Sequence, residues 1–192
     1  MNDISKISKP PELDAIQQDT VASGFTMASD LQTGTLLRTL AASKPGGRLL
    51  ELGTGTGLST AWILDGMDSG ATLISLDNDD ASQSIASKHL ANDIRVEFVL
   101  DDGGTFLESQ LGQQFDFVFA DTWPGKYTHL ELALGLLAPG AFYIIDDMLA
   151  QPNWPSDHPP KVQKLIEILE QRPDIVITKM CWSTGLIVAV KR

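Results

Sequence analysis

Three glycines at alternate positions are the first residues whose spacing could do chemistry. Gly53, Gly55 and Gly57 directly follow the apolar run 49–52, and a helical pattern begins at Leu58. Glycines let a ligand approach the backbone closely, and the start of a helix offers unpaired N–H groups to an anionic group. A dinucleotide fingerprint, however, needs a third glycine where Leu58 stands. The turn therefore predicts a nucleotide-like ligand and disfavours a nicotinamide cofactor.

Acidic residues end the four predicted strands that follow this turn. They are Asp77, Asp101 with Asp102, Asp121, and Asp146 with Asp147. Because parallel strands bring their carboxyl ends to one edge of a sheet, we expect these acids to converge there. An acid in a solvated loop would explain any one of them, since Asp is common in turns. The whole set is better explained by a binding site.

Two roles are open for these acids. Asp77 lies 20 residues after Gly57 in the sequence, the spacing at which an acid accepts hydrogen bonds from ribose hydroxyls. Asp102 would lie beside the adenine. Asp121, Asp146 and Asp147 could bind a hard divalent cation such as Mg²⁺ or Ca²⁺ through oxygen. Alternatively, the last two acids orient a loop without any metal. The residues themselves do not choose between these alternatives.

Strands and helices alternate along the chain and must position these residues. Strands are predicted at 49–52, 72–76, 95–100, 115–120, 141–145, 175–180 and 186–190, and the clearest helices at 12–22, 30–42, 80–90, 127–137 and 161–171. This order predicts an α/β fold with helices on both faces of a mostly parallel sheet. The last two strands are close enough in sequence to pair antiparallel. The long connection at 148–160 is expected to be a substrate wall, or else a plain surface crossover.

Length and composition indicate one domain over residues 1–192, with a helical extension at 1–45 and a cofactor-binding core at 46–192. The formal net charge is -11 and no cluster of Lys and Arg is present, which disfavours nucleic acid as a partner. No apolar run approaches the roughly 20 residues that cross a membrane. No secretory pattern opens the chain, and the single cysteine, Cys181, expected to be buried, fits a cytoplasmic location.

Taken together, the motifs resemble the class I S-adenosylmethionine-dependent methyltransferases, and more closely the catechol and caffeoyl-CoA type O-methyltransferases. The resemblance covers about residues 25–150 and is specific as a set. It rests on Leu-Leu-Glu-Leu-Gly-Thr-Gly-Thr-Gly-Leu-Ser-Thr at 49–60, Leu-Ile-Ser-Leu-Asp at 73–77, Asp-Phe-Val-Phe-Ala-Asp at 116–121, and Leu-Leu-Ala-Pro-Gly-Ala-Phe-Tyr-Ile-Ile-Asp-Asp at 136–147. The upstream segment Met-Ala-Ser-Asp at 27–30, followed by Gly34, also resembles the family's entry to the cofactor.

The resemblance implies a Rossmann-like three-layer sandwich whose seven-stranded sheet is mostly parallel with an antiparallel last strand. It also implies a metal triad of Asp121, Asp146 and Asp147, although the family usually has an amide where Asp147 stands. The positions that would contact S-adenosyl-L-methionine are Met27, Glu51, Gly53, Thr54, Gly55, Gly57, Ser59, Asp77, Asn78, Asp102 and Asp121.

Catalysis is less well defined by the resemblance. The family often has a lysine three residues after the fourth-strand aspartate, and here Pro124 fills that position, while Trp123 and Tyr127 match. A phenol must lose its proton to attack well, with help from a cation or from a base. The catalytic candidates are therefore Lys126, Asp121 and His158, with His129 as a weaker base. Lys126 could equally be a solvated lysine at a helix start.

The preferred hypothesis is an S-adenosylmethionine-dependent O-methyltransferase that acts on a small hydroxylated molecule, assisted by a divalent cation or not. A methyltransferase directed at nitrogen or at a macromolecule is one alternative. A domain that binds the cofactor without chemistry is another, motivated by Pro124. Related enzymes are often dimers through their N-terminal helices, so a homodimer is a further expectation.

Overall fold

One seven-stranded sheet organises the chain. The structure is a computed structural model and describes residues 2–3, 5–151 and 154–192. The strands are β1 Arg48–Leu52, β2 Thr72–Asp77, β3 Val96–Leu100, β4 Phe115–Ala120, β5 Leu137–Ile145, β6 Ile175–Met180 and β7 Leu186–Lys191. The helices are α1 Leu13–Ser23, α2 Leu31–Ala42, α3 Leu58–Gly66, α4 Asp80–Leu90, α5 Gly103–Ser109, α6 Trp123–Lys126, α7 Leu130–Gly135 and α8 His158–Glu170.

The strand order is β3-β2-β1-β4-β5-β7-β6, and β7 runs antiparallel to both of its neighbours, β5 and β6, while the pairs among β1 to β5 are parallel. Side chains on the two faces of the sheet build two separate apolar clusters, one around Trp62 and Phe117, the other around Val118 and Tyr143. Central strands of this kind are apolar on both faces, which explains the continuous hydrophobic runs in the sequence. The predicted Rossmann-like sandwich with an antiparallel last strand is confirmed.

The register of the central strands aligns their carboxyl ends. Leu52 at the end of β1 pairs with Leu76 of β2 on one side and with Ala120 of β4 on the other, and Ala120 pairs with Ile145 of β5. The residues that follow each strand therefore lie side by side at one edge. This alignment brings the glycine turn next to the acids that end the neighbouring strands.

The predicted helix at 127–137 is wrong. The short helix α6 ends at Lys126, α7 covers only Leu130–Gly135, and β5 already begins at Leu137. The reason is local backbone geometry: Gly125 and His129 both have positive φ, at 93° and 56°. A residue with positive φ interrupts a right-handed helix. This interruption changes where Lys126 points.

Three smaller expectations are also corrected. The helix predicted at 161–171 begins earlier, at His158, with Pro159 and Pro160 in its first turn, where proline is tolerated. The short helix α5 was not predicted, because its two leading glycines carry no helical signal. Cys181 is exposed just beyond the end of β6, so the expected buried thiol is wrong.

The N-terminal helices lie on one face of the core. Helix α2 packs against α3, and α1 packs against α4 and α3. The segment between them, at 25–30, reaches the carboxyl edge of the sheet, where Ser29 contacts Asp121. Within the described part of the chain, no helix has both the length and the apolar content to span a membrane.

Candidate active site

The turn after β1 is held open by glycines in positive-φ conformations, at 105° for Gly53, 51° for Gly55 and 92° for Gly57. At Gly57 the requirement is also steric, since a Cβ there would lie 2.6 Å from the Cβ of Ala86. The amides of Gly53 and Thr54 both donate to the carbonyl of Leu76, at 2.9 and 3.0 Å. The turn is therefore a fixed cradle of backbone at the end of β1.

A buried polar network supports this cradle from below. Glu51 is fully buried, and its Oε2 accepts hydrogen bonds from the hydroxyls of Thr60 and Ser75, each at 2.5 Å. The hydroxyl of Ser75 also lies 2.7 Å from that of Thr54, inside the turn. Among the described residues, Oε1 of Glu51 has no hydrogen-bond partner. Burial raises the pKa of Glu51 to about 7, although the surrounding hydroxyls oppose that rise.

A cleft opens above the cradle and gathers most of the predicted cofactor positions. The ring of Phe25 lies over the turn, so that a Cβ on Gly55 would be 3.2 Å from it. Ser29 donates to Oδ2 of Asp121 at 3.3 Å and closes the far side. The cleft is lined by Phe25, Met27, Ala28, Ser29, Gly53, Thr54, Gly55, Thr56, Leu58, Ser59 and Asp121.

The cleft encloses only about 20 Å³ in this conformation, because the ring of Phe25 lies over the turn, so a ligand of the size of the predicted cofactor requires the segment 25–29 to move aside. Phe25 was missed by the sequence analysis, whereas Ser29 belongs to the segment 27–30 that resembles the family's entry to the cofactor. The only available signal for Phe25 was its place two residues before Met27, in a segment without helical periodicity.

Three more of the predicted cofactor residues, Asp77, Asn78 and Asp102, lie along the same sheet edge, and the two aspartates accept hydrogen bonds from backbone amides. The carboxylate of Asp77 accepts from the amide of Gly55 at 2.7 Å, which ties β2 to the turn. Asn78 follows it and is exposed. Asp102 caps α5 by accepting from the amide of Thr105 at 2.9 Å, and this bond lowers its pKa. The roles of these three in cofactor binding stay predictions.

On the other side of the cleft, a lysine reaches into the sheet edge. Lys126 Nζ donates to the backbone carbonyl of Asp146 at 2.9 Å and lies 3.5 Å from Oδ1 of Asp121. Its side chain is only 4% exposed. Asp146 is buried too, and its Oδ1 accepts from the hydroxyl of Thr184 and from the amide of Asp147. The alternative of a solvated Lys126 is therefore wrong.

The charges of Lys126, Asp121 and Asp146 act strongly on one another because all three side chains are largely buried. Burial raises the pKa of Asp121 well above its ordinary value, and the ammonium of Lys126 opposes that rise. Burial likewise raises the pKa of Asp146 to about 6, with the Thr184 hydroxyl acting in the opposite direction. A positive charge beside a buried carboxylate favours its ionised form. Lys126 therefore helps to keep both aspartates ionised.

The predicted metal ligands do not suit a divalent cation as they stand. In the described part of the chain, no three side chains of His, Cys, Asp or Glu come together in a metal-binding arrangement. A metal bound by the carboxylates of Asp121 and Asp146 would meet the ammonium of Lys126, which lies 3.5 Å from Oδ1 of Asp121 and donates to the backbone carbonyl of Asp146. The assignment of Asp121, Asp146 and Asp147 as a metal triad stays a prediction that this geometry disfavours.

Aromatic side chains line the side of α6 and α8. The ring of His158 stacks on Trp154 with centroids 4.1 Å apart, and its Nε2 lies 3.0 Å from the hydroxyl of Tyr127. Trp123 contacts both His158 and Tyr127 edge-on. Burial lowers the pKa of His158, assisted by the charges of Lys126 and Lys161. His158 is thus placed as a neutral imidazole in an aromatic wall.

Other candidate features lie elsewhere. His129 is exposed at the start of α7, and its ring packs where a Cβ on Gly104 would be. A larger cavity of about 460 Å³ lies at the amino end of β3, and none of the predicted site residues lines it. The chemistry of the sequence motifs is therefore concentrated at the carboxyl edge of the sheet.

A family profile described as "Methyltransferase domain" matches residues 50–148, which is the segment from the glycine turn to the acids after β5. Among curated proteins, the chain is 29% identical to a catechol O-methyltransferase of Niastella koreensis, over 60% of this chain and 56% of that protein. It is 26% identical to a catechol O-methyltransferase of Mycobacterium tuberculosis, over 73% of each. The chain thus spans little more than half the length of the first of these relatives.

The fold also matches solved structures over almost the whole chain. An O-methyltransferase from Bacillus cereus, solved in complex with SAH, has a TM-score of 0.85 and 24% identity, covering 98% of this chain and 94% of that one. At this identity the likeness concerns the fold. It supports the topology described above, including the N-terminal helices that the family profile does not cover.

Proposed function

The chain belongs to the methyltransferase domain family, and we propose that it transfers a methyl group from S-adenosyl-L-methionine to a hydroxyl of a small molecule. One observation carries the proposal. The cleft above the glycine turn runs up to Asp121, where the buried ammonium of Lys126 lies. A cofactor seat and a charged centre for an acceptor thus share one residue.

The residues of the turn side would hold the cofactor. When bound, S-adenosylmethionine supplies an electrophilic methyl group on a sulfonium. Transfer of that group depends mainly on alignment of the acceptor with it, so the protein contributes positioning. Asp77, tied to Gly55, and the hydroxyl-rich floor around Glu51 keep the cradle rigid. The Bacillus cereus protein was solved with SAH, which is what remains of this cofactor after methyl transfer.

The residues of the lysine side would act on the acceptor. Deprotonation of a hydroxyl makes it a better nucleophile. His158, whose pKa is lowered by burial, would accept that proton, and the ammonium of Lys126 would stabilise the resulting oxyanion. Asp121 orients Lys126. These catalytic roles of Lys126, Asp121 and His158 belong to the proposal.

The aromatic wall supports a flat, small acceptor. Trp123, Tyr127, Trp154 and His158 present ring faces and edges next to the charged centre, and such surfaces bind planar groups well. Both curated relatives named above are catechol O-methyltransferases. The net charge of -11 favours a small acceptor over nucleic acid. A cytoplasmic location and a homodimer stay predictions.

Calorimetry and turnover test the proposal together. We expect heat on titration with S-adenosylmethionine and none with NAD, and methyl transfer to at least one member of a panel of catechols and other phenols. Asp77→Asn should weaken cofactor binding, whereas Asp80→Asn, at an exposed acid of α4, should not. Absence of binding to S-adenosylmethionine would refute the proposal.

A second candidate function follows from Pro124, which stands where related enzymes often carry lysine. The chain could bind the cofactor without performing chemistry. Binding of S-adenosylmethionine without transfer to any phenol or amine would favour this function. The inward position of Lys126 favours the enzymatic function, because its ammonium lies in the site although the lysine stands two residues after the usual position.

A further inference from the structure

Lys126 is held inside the site by a backbone shape that its neighbours enforce. Gly125 has φ 93°, and a Cβ there would lie 2.8 Å from Leu52 and 3.0 Å from the hydroxyl of Tyr143. The same hydroxyl donates to the carbonyl of Gly125 at 2.5 Å. Pro124 before it is extended rather than helical, with ψ 129°. The backbone conformation at Gly125, which directs Lys126 inward, is thus fixed by Leu52 and by the hydroxyl of Tyr143.

The ammonium lies where the ends of two neighbouring strands bring acids together. Asp121 follows β4, and Asp146 with Asp147 follows β5, the strand paired to it. Lys126 Nζ is 3.5 Å from the carboxylate of Asp121 and hydrogen-bonded to the carbonyl of Asp146. Both of these groups are oxygen donors of the kind that Mg²⁺ and Ca²⁺ bind. The ammonium therefore occupies the Asp121 carboxylate, while the carboxylate of Asp146 already accepts from the Thr184 hydroxyl and from the amide of Asp147.

A divalent ion and a buried ammonium would also repel each other across a few ångströms. Little solvent is available to screen them, because the side chains of Lys126 and Asp121 are 4% and 13% exposed. In contrast, the ammonium of Lys126 carries one positive charge and neutralises one carboxylate, that of Asp121, without a further ion. The hydrogen-bonding geometry and the electrostatic repulsion therefore both disfavour a divalent ion beside Lys126.

We propose that Lys126 is the resident cation of this site, in place of a divalent metal ion, and that the protein works without one. The inference rests on the proposed function for its catalytic meaning, since the ammonium would then stabilise negative charge on the acceptor oxygen. The replacement itself concerns only Lys126, Asp121 and Asp146. It can be tested by metal binding, whether or not a substrate is known.

The first test measures binding of Mn²⁺ to the full chain by electron paramagnetic resonance. Lys126→Met keeps the length and apolar stem of the side chain and removes its charge. We expect this variant to bind Mn²⁺ at least about tenfold more tightly than the wild type, and to lose that gain when combined with Asp146→Asn. Lys164→Met, at an exposed lysine of α8, is the matched control and should behave like the wild type.

Equal Mn²⁺ affinity in the wild type and Lys126→Met, whether tight or weak, would overturn the proposal. If Lys126→Met does not fold, the wild type and Asp146→Asn decide. We expect Mn²⁺ binding to be the same in both, and a loss of affinity in Asp146→Asn would show that the wild type uses this carboxylate for metal.

The second test uses turnover of the wild type with an acceptor from the phenol panel. The rate should change by less than about twofold when EDTA is added or Mg²⁺ is titrated, because no metal is needed. A rate that collapses with EDTA and returns with Mg²⁺ would overturn the proposal. Failure of S-adenosylmethionine to bind would refute the proposed function instead, and the Mn²⁺ result would still decide the role of Lys126.

Discussion

Glu51 should make the stability of the protein depend on pH in a way that one substitution removes. Its carboxyl group is fully buried in β1, beneath the glycine turn. Burial raises its pKa from an ordinary value of 4.5 to about 7. The folded protein therefore binds this proton more tightly than the unfolded chain does. Between these two pKa values, the proton stabilises the fold.

The sign and size follow from this difference. Below about pH 4.5 the carboxyl is protonated in both states and its stabilising contribution is complete, and the contribution is lost as the pH rises through about 7. The full difference corresponds to about 3 kcal/mol. Most of it, about 2.5 kcal/mol, falls between about pH 5 and pH 8. The free energy of unfolding should therefore be larger at the lower pH, as far as Glu51 is concerned.

Urea unfolding of the wild type and of Glu51→Gln, followed by circular dichroism from about pH 5 to pH 8, isolates this contribution. Other buried acids, such as Asp121 and Asp146, titrate in both proteins and cancel in the difference. We expect the wild type to lose about 2.5 kcal/mol relative to Glu51→Gln as the pH rises. The amide carries its own unfavourable burial, but that offset does not vary with pH.

Glu97→Gln is the matched control, because Glu97 is exposed on β3. It should follow the pH dependence of the wild type. If the difference in unfolding free energy between the wild type and Glu51→Gln stayed constant within about 0.5 kcal/mol, Glu51 would titrate alike in both states, and its burial would not govern its protonation.

Three further substitutions test the site. Gly57→Ala should lower the free energy of unfolding by about 2 kcal/mol in urea, because the new methyl would need positive φ and meet Ala86 at 2.6 Å. Asp77→Asn should raise the Kd for S-adenosylmethionine about tenfold by calorimetry, since a carboxylate binds ribose hydroxyls more strongly than an amide. His158→Phe keeps a ring against Trp154 and removes the nitrogen, so kcat should fall about 100-fold with cofactor affinity unchanged.

Opposite outcomes are equally clear for these variants. Unchanged stability of Gly57→Ala would mean that α3 and α4 can separate at little cost. Unchanged cofactor affinity in Asp77→Asn would limit that aspartate to its bond with the Gly55 amide. A rise in acceptor KM at constant kcat in His158→Phe would make His158 part of the acceptor wall and not a base.

Much of the fold could be predicted because its signals are local. The apolar runs of β1, β2 and β4 match the observed strands within one residue, and α4 matches at both ends. The strands β1 and β4 are buried on both faces, as their continuous apolar runs indicate. The helices near Pro124 could not be predicted in this way, because the break at Gly125 depends on Leu52 and Tyr143, which are distant in sequence.

The residues of the candidate site were likewise only partly predictable from the sequence. Gly53, Gly55 and Asp77 were predictable, since the turn and the acid twenty residues later form one recognisable pattern. Phe25 was not, because the segment between α1 and α2 reaches the cleft only when both helices are packed. The sequence also left the acids after β4 and β5 open between a metal site and a loop.

By itself, then, the sequence determined the alternation of strands and helices and the cofactor edge of the sheet, because glycine turns and apolar runs are formed by neighbouring residues, and its motifs resembled the right family. Only the tertiary structure decided where Lys126 points. A lysine two residues after a proline reads as a solvated side chain, and its direction is set by φ at Gly125 and by packing against β1 and β5. Because those contacts join distant parts of the chain, the position of the Lys126 ammonium in the site is set only when the sheet is assembled.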